Sequence, residues 1–151
     1  MDERAIQRAY FHKFLSSSLL IAPNIYFGSW RWECDIVRLM PSMYWHEVEV
    51  KISRADYKSE FKNKSTKHKQ YIGNRRGPNY YSFAVPSGLI QPEEVSRCYG
   101  LYYCAENRWG QHLITVVRKP TRLHTAKVGP KVITKIARSL MFKFFNHGGI
   151  A

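Results

Sequence analysis

The stretch Glu47-Val48-Glu49-Val50-Lys51 sets two carboxylates and an ammonium at alternate positions with valines between them. In a strand, Glu47, Glu49 and Lys51 share one face and Val48, Val50 and Ile52 the other. Upstream, the segment ECDIVRL carries Glu33 and Asp35 on one face. If the two segments pair as a hairpin, acidic groups from both converge at one end of it. Carboxylates are hard oxygen donors, and Mg²⁺ typically takes one or two of them together with water and substrate phosphate. A cation between Asp35 and Glu49 could polarise a phosphodiester and lower the pKa of an attacking water. Lys51 could orient that water or offset charge in the transition state. Taken alone, alternating Glu and Lys is more often a solvated sheet face. Three features weigh against that: Asp35 on the preceding strand, a basic helix immediately after, and a strongly basic chain.

The elements that must position these groups are legible from periodicity. Residues 3–17 read as a helix, with Ile6, Ala9, Tyr10, Lys13 and Phe14 on one stripe. Ile25 to Leu39 reads as extended, broken at Gly28-Ser29, and MPSM at 40–43 is a turn. Tyr44 to Ser53 alternates strictly and pairs with ECDIVRL as an antiparallel hairpin. Ser53-Arg54-Ala55-Asp56 has the form of a helix start, and that helix is expected to run to about Ile72. GNRRGPN closes it as a loop. YYSFAV at 80–85 has no polar face and reads as a buried strand. Strand, helix and buried strand make a crossover, so the two strands should be parallel. PEEV at 92–95 suggests a short helix. GLYYCAE and HLITVVRK suggest two more strands around an NRWG turn. The last helix, about 129–146, gathers Val132, Ile133, Ile136, Ala137, Leu140, Met141, Phe144 and Phe145 on one face, with Lys131, Lys135, Arg138 and Lys143 off it.

Composition narrows the class. A chain of 151 residues suits one domain over 1–151, and 44% hydrophobic with 15% aromatic residues excludes disorder. Lys and Arg number 24 against 11 acidic residues, a formal charge of +13, which points to a polyanion partner. Nine basic residues lie between Lys51 and Arg76, and no acidic residue follows Glu106. Three cysteines without CxxC spacing make a zinc site or a disulfide framework unexpected and fit a reducing cytoplasm. FLSSSLLIAP resembles a leader only superficially, since serines interrupt it and Asp2 and Glu3 stand where positive charge is wanted. No run is long enough to span a membrane. The expected location is the cytoplasm of a bacterial or phage-infected cell, in association with the nucleoid.

From Asp35 onward, through Glu49-Val50-Lys51 to a helix and a buried strand, the chain resembles the PD-(D/E)XK, or restriction-endonuclease-like, nuclease superfamily. EVKISRADYK followed by YYSFAVPSGLI is especially similar to small phage and bacterial members regarded as nucleases or DNA-repair proteins. The resemblance spans about residues 30–105. It implies a single-domain α/β fold: a central mixed β-sheet with an α-β-β-β-α-β core, flanked by helices, here with extra strands and a C-terminal amphipathic helix. It also implies a Mg²⁺- or Mn²⁺-dependent deoxyribonuclease that hydrolyses DNA phosphodiester bonds as an endonuclease. Asp35 and Glu49 would hold the metal, Val50 would lend its backbone carbonyl, and Lys51 would be the catalytic lysine. Cys34 stands where many members have Pro. Only Glu3 is available for the glutamate that many members place in the first helix. The alternative is a nucleic-acid-binding accessory of repair or replication, without catalysis, on the same fold.

Other residues carry two readings. Glu47 and Glu33 are either extra ligands or charges beside the site. Tyr57, Phe61, Lys64, His68 and Tyr71 share a helical face. Lys64 and His68 on it either reach solvent at the helix edge or point across the sheet to the scissile phosphate. Lys62, Lys67, Lys69 and Gln70 are expected to track a nucleic-acid backbone. Arg75 and Arg76, in their glycine-flanked loop, either approach a phosphate or form a solvated turn. Trp30, Trp32 and Trp45 fit core packing better than base stacking. Ser29 is weakly similar to a serine near the site of junction-resolving relatives. The expected partner is DNA, with RNA as an open second choice and no membrane. Cutting both strands of a duplex would suit a homodimer. A membrane-surface or partner-docking role for the last helix is a third reading; packing on the sheet is simpler.

Overall fold

The computed structural model describes residues 1–26, 32–73 and 77–146. Its centre is a six-stranded sheet with the strands in sequence order: β1 (Leu20–Ile25), β2 (Cys34–Leu39), β3 (Trp45–Val50), β4 (Tyr80–Pro86), β5 (Gly100–Glu106) and β6 (His112–Arg118). β1, β2 and β3 are antiparallel neighbours; β3, β4 and β5 run parallel; β5 and β6 close as an antiparallel hairpin. The chain is thus α/β with a mixed sheet, and the expected hairpin and parallel crossover are both present. The leader-like stretch supplies β1, an edge strand, which is where its Pro23 can be tolerated without a ladder donor.

β3 is buried on both faces, which is why its charged residues are not a solvated surface. On one side α1 (Glu3–Phe14) lays Ile6, Ala9 and Tyr10 against Ile36, Val48, Val50, Ala84 and Tyr102. Asp2 caps this helix, accepting from the Ala5 N–H at 2.8 Å. Burying a side chain such as Ile6 contributes roughly 1.5–3 kcal/mol, which fixes α1 on that face. On the other side α2 (Arg54–Asn63) and α3 (Ser65–Gly73) contribute Tyr57 and Tyr71 to a core with Tyr81, Phe83, Tyr99 and Leu101.

Three expectations need correction. β3 ends at Val50, so Ile52 falls beyond the strand and is exposed instead of packing with the valines. The single helix to Ile72 is two helices, because Lys64 leaves helical geometry at φ −122°, ψ 34°. Its start is as expected, with the Ser53 hydroxyl accepting from the Asp56 N–H at 3.1 Å. Finally, α4 (Pro130–Asn146) docks through only part of its apolar face. Val132, Ile133, Ile136 and Leu140 pack against the core formed by Ala22, Ile25, Val37, Leu39 and Trp45, while Met141, Phe144 and Phe145 are exposed. Among the described residues no helix is long and apolar enough to cross a membrane.

Candidate active site

The hairpin register explains how Asp35 meets the Glu49-Val50-Lys51 run. Ile36 pairs with Val48 and Val37 with Glu47, so β2 and β3 reach their common end at Asp35 and Val50. There Asp35 Oδ2 accepts the Val50 N–H at 2.7 Å. Val50 therefore enters the site through its N–H. Burial pushes the Asp35 carboxyl up, the nearby Glu49 charge adds to that, and the Val50 hydrogen bond only partly offsets it, leaving a pKa of about 8.

Glu49 is 1% exposed, and its carboxylate is the junction of three ammonium groups. Lys51 Nζ lies 3.0 Å and Lys64 Nζ 3.1 Å from Oε1, and Lys67 Nζ lies 3.2 Å from Oε2. All three lysines also reach Glu60, at 3.0 Å from Lys51, 3.3 Å from Lys64 and 3.0 Å from Lys67. Lys67 is also 3.0 Å from Glu47, whose other oxygen accepts the Tyr71 hydroxyl at 2.6 Å. Three glutamates thus face three lysines. Burial alone would lower the Lys51 pKa, but Glu49 and Glu60 reverse that and hold it above the usual lysine value. Burial likewise opposes the charge on Glu60, yet the His68 hydrogen bond and the surrounding ammonium groups hold it well below the usual carboxylate range.

Several sequence-derived roles change here. Lys67 was expected to follow a nucleic-acid backbone; it is fully buried, because its stem crosses an aromatic core and its ammonium neutralises Glu47, Glu49 and Glu60. Glu47 is a fully buried partner of Lys67 and Tyr71, neither a rim charge nor solvated. His68 reaches inward: Nε2 is 3.1 Å from Glu60 and Nδ1 is 2.8 Å from the Tyr99 hydroxyl. Lys64 does point across the sheet to Glu49, with its side chain 30% exposed, so it joins the interior cluster to solvent. Glu33 is half-buried just before β2 and acts only as a field on Glu3. Lys62 and Lys69 are exposed and Gln70 half-buried on the outer side of the helices, open to a backbone contact. Arg75, Arg76, Ser29 and Trp30 lie outside the described residues. Trp45 is buried, and Trp32 donates its indole N–H to the Tyr71 hydroxyl at 3.2 Å.

One member of the cluster was missed. Glu60 falls in register with Lys64, Lys67 and Tyr71 at steps of four, three and four, a stripe beside the aromatic one that periodicity could have revealed. Glu3, discounted for its place near the terminus, lies within electrostatic reach of the site. Burial raises its pKa first, and the Glu49 charge raises it further. Gln7 ties it there, donating to Glu3 Oε1 at 3.2 Å and to the Asp35 carbonyl at 2.9 Å.

Asp35 and Glu49 offer oxygen donors of the kind a hard divalent cation takes, with lysine ammonium groups already on both Glu49 oxygens. Glu47 Oε1 and Glu60 Oε2 are buried without a hydrogen bond of acceptable geometry, although each has an ammonium at 3.0 Å. Asp35 beside Glu49 is a carboxyl pair in which each group opposes ionisation of the other, and a cation between them would favour the doubly ionised form. Two carboxylates are the complement such a cation needs. Among the described residues no three His, Cys, Asp or Glu side chains gather as a ligand group, so Glu3 stands at the distance of a field and not of a bond.

No protein-family model matches the chain, and no curated protein matches it in sequence. A solved structure of a protein of unknown function from Silicibacter pomeroyi is similar over 99% of this chain and 94% of its own, with a TM-score of 0.68 at 16% identity. That likeness concerns the fold.

Proposed function

We propose that the protein is a metal-dependent nuclease that hydrolyses DNA phosphodiester bonds on a restriction-endonuclease-like fold. The observation that carries this reading is the meeting of Asp35 on β2 with Glu49 and Lys51 on β3, at the end of the hairpin where the chain turns into α2. Asp35 and Glu49 would hold Mg²⁺ or Mn²⁺. When bound, such an ion supplies Lewis-acid polarisation of the phosphoryl group and a more acidic water. Glu49 and Glu60 hold Lys51 in its charged form, which favours hydrogen-bond donation over proton acceptance. Its role is to donate hydrogen bonds to the water or to the oxygens that gain charge in the transition state. Lys64, partly open to solvent, meets the scissile phosphate from the helix side.

The test incubates the protein with plasmid, linear, single-stranded and branched DNA in Mg²⁺, Mn²⁺ and EDTA. Cutting that needs metal and disappears in Lys51→Met is expected. No metal-dependent cutting across that panel, or undiminished cutting by Lys51→Met, overturns the reading.

A second reading, a non-catalytic nucleic-acid-binding accessory on the same fold, draws on the lysines that already engage both oxygens of Glu49. Mn²⁺ binding separates the two. Affinity lost in Asp35→Ala with DNA affinity retained favours the enzyme, and no Mn²⁺ binding by the native chain favours the accessory.

A further inference from the structure

A groove of about 1080 Å³ lies between α1 and the β5–β6 hairpin. Its α1 wall carries Arg4, Arg8 and His12. These residues are four apart, so they stack along one helical edge about 6 Å from one to the next. All three are exposed. The opposite wall is the hairpin end, with Gln111 and His112. Two acidic groups also line the groove. Asp2 is engaged as the cap of α1, and Glu106 stands at the hairpin base.

At the hairpin tip, next to the groove, Trp109 is 70% exposed. An exposed indole could be incidental, but this one is presented by a well-built turn. The Asn107 side-chain oxygen accepts the N–H groups of Trp109 at 2.9 Å and Gln111 at 3.0 Å. Asn107 Nδ2 donates to Gln111 Oε1 at 3.0 Å, and Gly110 takes the φ of +79° that the turn requires. The Arg108 guanidinium lies 4.1 Å from the centre of the indole ring. The protein thus holds a cation-backed aromatic face toward solvent at the end of a row of basic side chains.

We propose that this groove is a track for single-stranded nucleic acid, with Arg4, Arg8 and His12 on its phosphates and Trp109 stacking an unpaired base. The recognition is by charge and stacking, which suits a strand of any sequence. A duplex is excluded from the tip contact, because its bases are already stacked on one another. The proposal rests on the nucleic-acid half of the functional reading and not on cleavage.

The experiment measures fluorescence anisotropy of labelled oligothymidylate, oligouridylate and a DNA duplex with the full chain in EDTA, where metal-dependent cutting cannot occur. Trp109→Ala is expected to weaken single-strand binding about tenfold and leave duplex binding unchanged, and Trp109→Phe to restore most of the loss. The Arg4→Gln, Arg8→Gln double variant is expected to reduce the salt slope by about 1.4. Undiminished single-strand binding by Trp109→Ala, or an equal loss on duplex, overturns the proposal. Cutting by the native chain in Mg²⁺ is scored separately, so failure of the nuclease reading and failure of the track give different results.

Discussion

Lys67 Nζ sits 3.2 Å from Glu49 Oε2 with the lysine fully buried and the glutamate 1% exposed. Charges this deep persist only when paired, since the desolvation of each ion costs several kcal/mol. Lys67 meets this requirement three times over, through Glu47, Glu49 and Glu60. It also donates to the Tyr81 hydroxyl at 3.2 Å. The lysine is therefore a positioning residue that fixes the Glu49 carboxylate from behind while Lys51 and Lys64 meet its other oxygen.

Lys67→Met is expected to destabilise the fold by about 3–5 kcal/mol, because it strands carboxylates in the interior. Urea unfolding monitored by circular dichroism measures it. Adding Glu47→Gln should recover part of the loss, as the two residues are in direct contact. Lys69→Met, on the exposed side of the same helix, should change stability by less than about 0.5 kcal/mol.

Asp35→Asn retains an oxygen for the Val50 N–H while removing the carboxyl that could ionise beside Glu49. The variant should fold, and in EDTA it should be at least as stable as the native chain. Its Mn²⁺ affinity, read by titration calorimetry, should fall at least about tenfold, the lower end of what a lost carboxylate ligand costs a hard-cation site. Native-like Mn²⁺ affinity in Asp35→Asn would remove Asp35 from the ligand set.

How far the sequence revealed this site depends on the kind of information each residue carries. Asp35, Glu49 and Lys51 were legible because strand alternation is strict and a hairpin's ends must meet. The parallel β4 was legible because a strand with no polar face must be covered on both sides. The fate of Lys67 was not legible, since a lysine in a basic run looks solvated until its carboxylate partners arrive from β3 and α2. The break at Lys64 was hidden for a related reason: residues 54–72 contain no internal proline or glycine to mark it. β1 was obscured by its resemblance to a leader, and Trp109 by being read only as part of a turn.

His46 gives a pH prediction on the α1 side of the sheet. Burial lowers its pKa to about 3, with the Arg38 charge assisting, and its Nε2 lies 2.8 Å from the Ser82 hydroxyl. The unfolded chain binds a proton near the ordinary histidine value of about 6.5, so between there and pH 3 the unfolded state holds more protons than the folded one. The neutral ring's contribution is therefore complete above pH 6.5 and is lost as pH falls toward 3. Native stability should drop on the order of 2–4 kcal/mol more than that of His46→Gln across this window. Paired urea titrations at several pH values would show it. Parallel curves would mean that the ring is not held neutral.

α4 offers a prediction in which two apolar residues of one helix behave differently. Ile136 is 2% exposed and packs against the β1–β2–β3 core, whereas Phe145 is 65% exposed near the end of the same helix. A helical wheel assigns both to one apolar face, but the helix is longer than the surface beneath it. Its early turns rest on that core, and Lys143 donates to the Asn24 carbonyl of β1 close to where the packing ends. Ile136→Ala should cost about 2–4 kcal/mol through lost burial and the cavity left behind. Phe145→Ser should change stability by less than about 0.5 kcal/mol and should raise solubility, because it removes exposed apolar area. Thermal unfolding and solubility in ammonium sulfate check the pair. A large stability loss in Phe145→Ser would mean that the end of the helix is packed like its early turns.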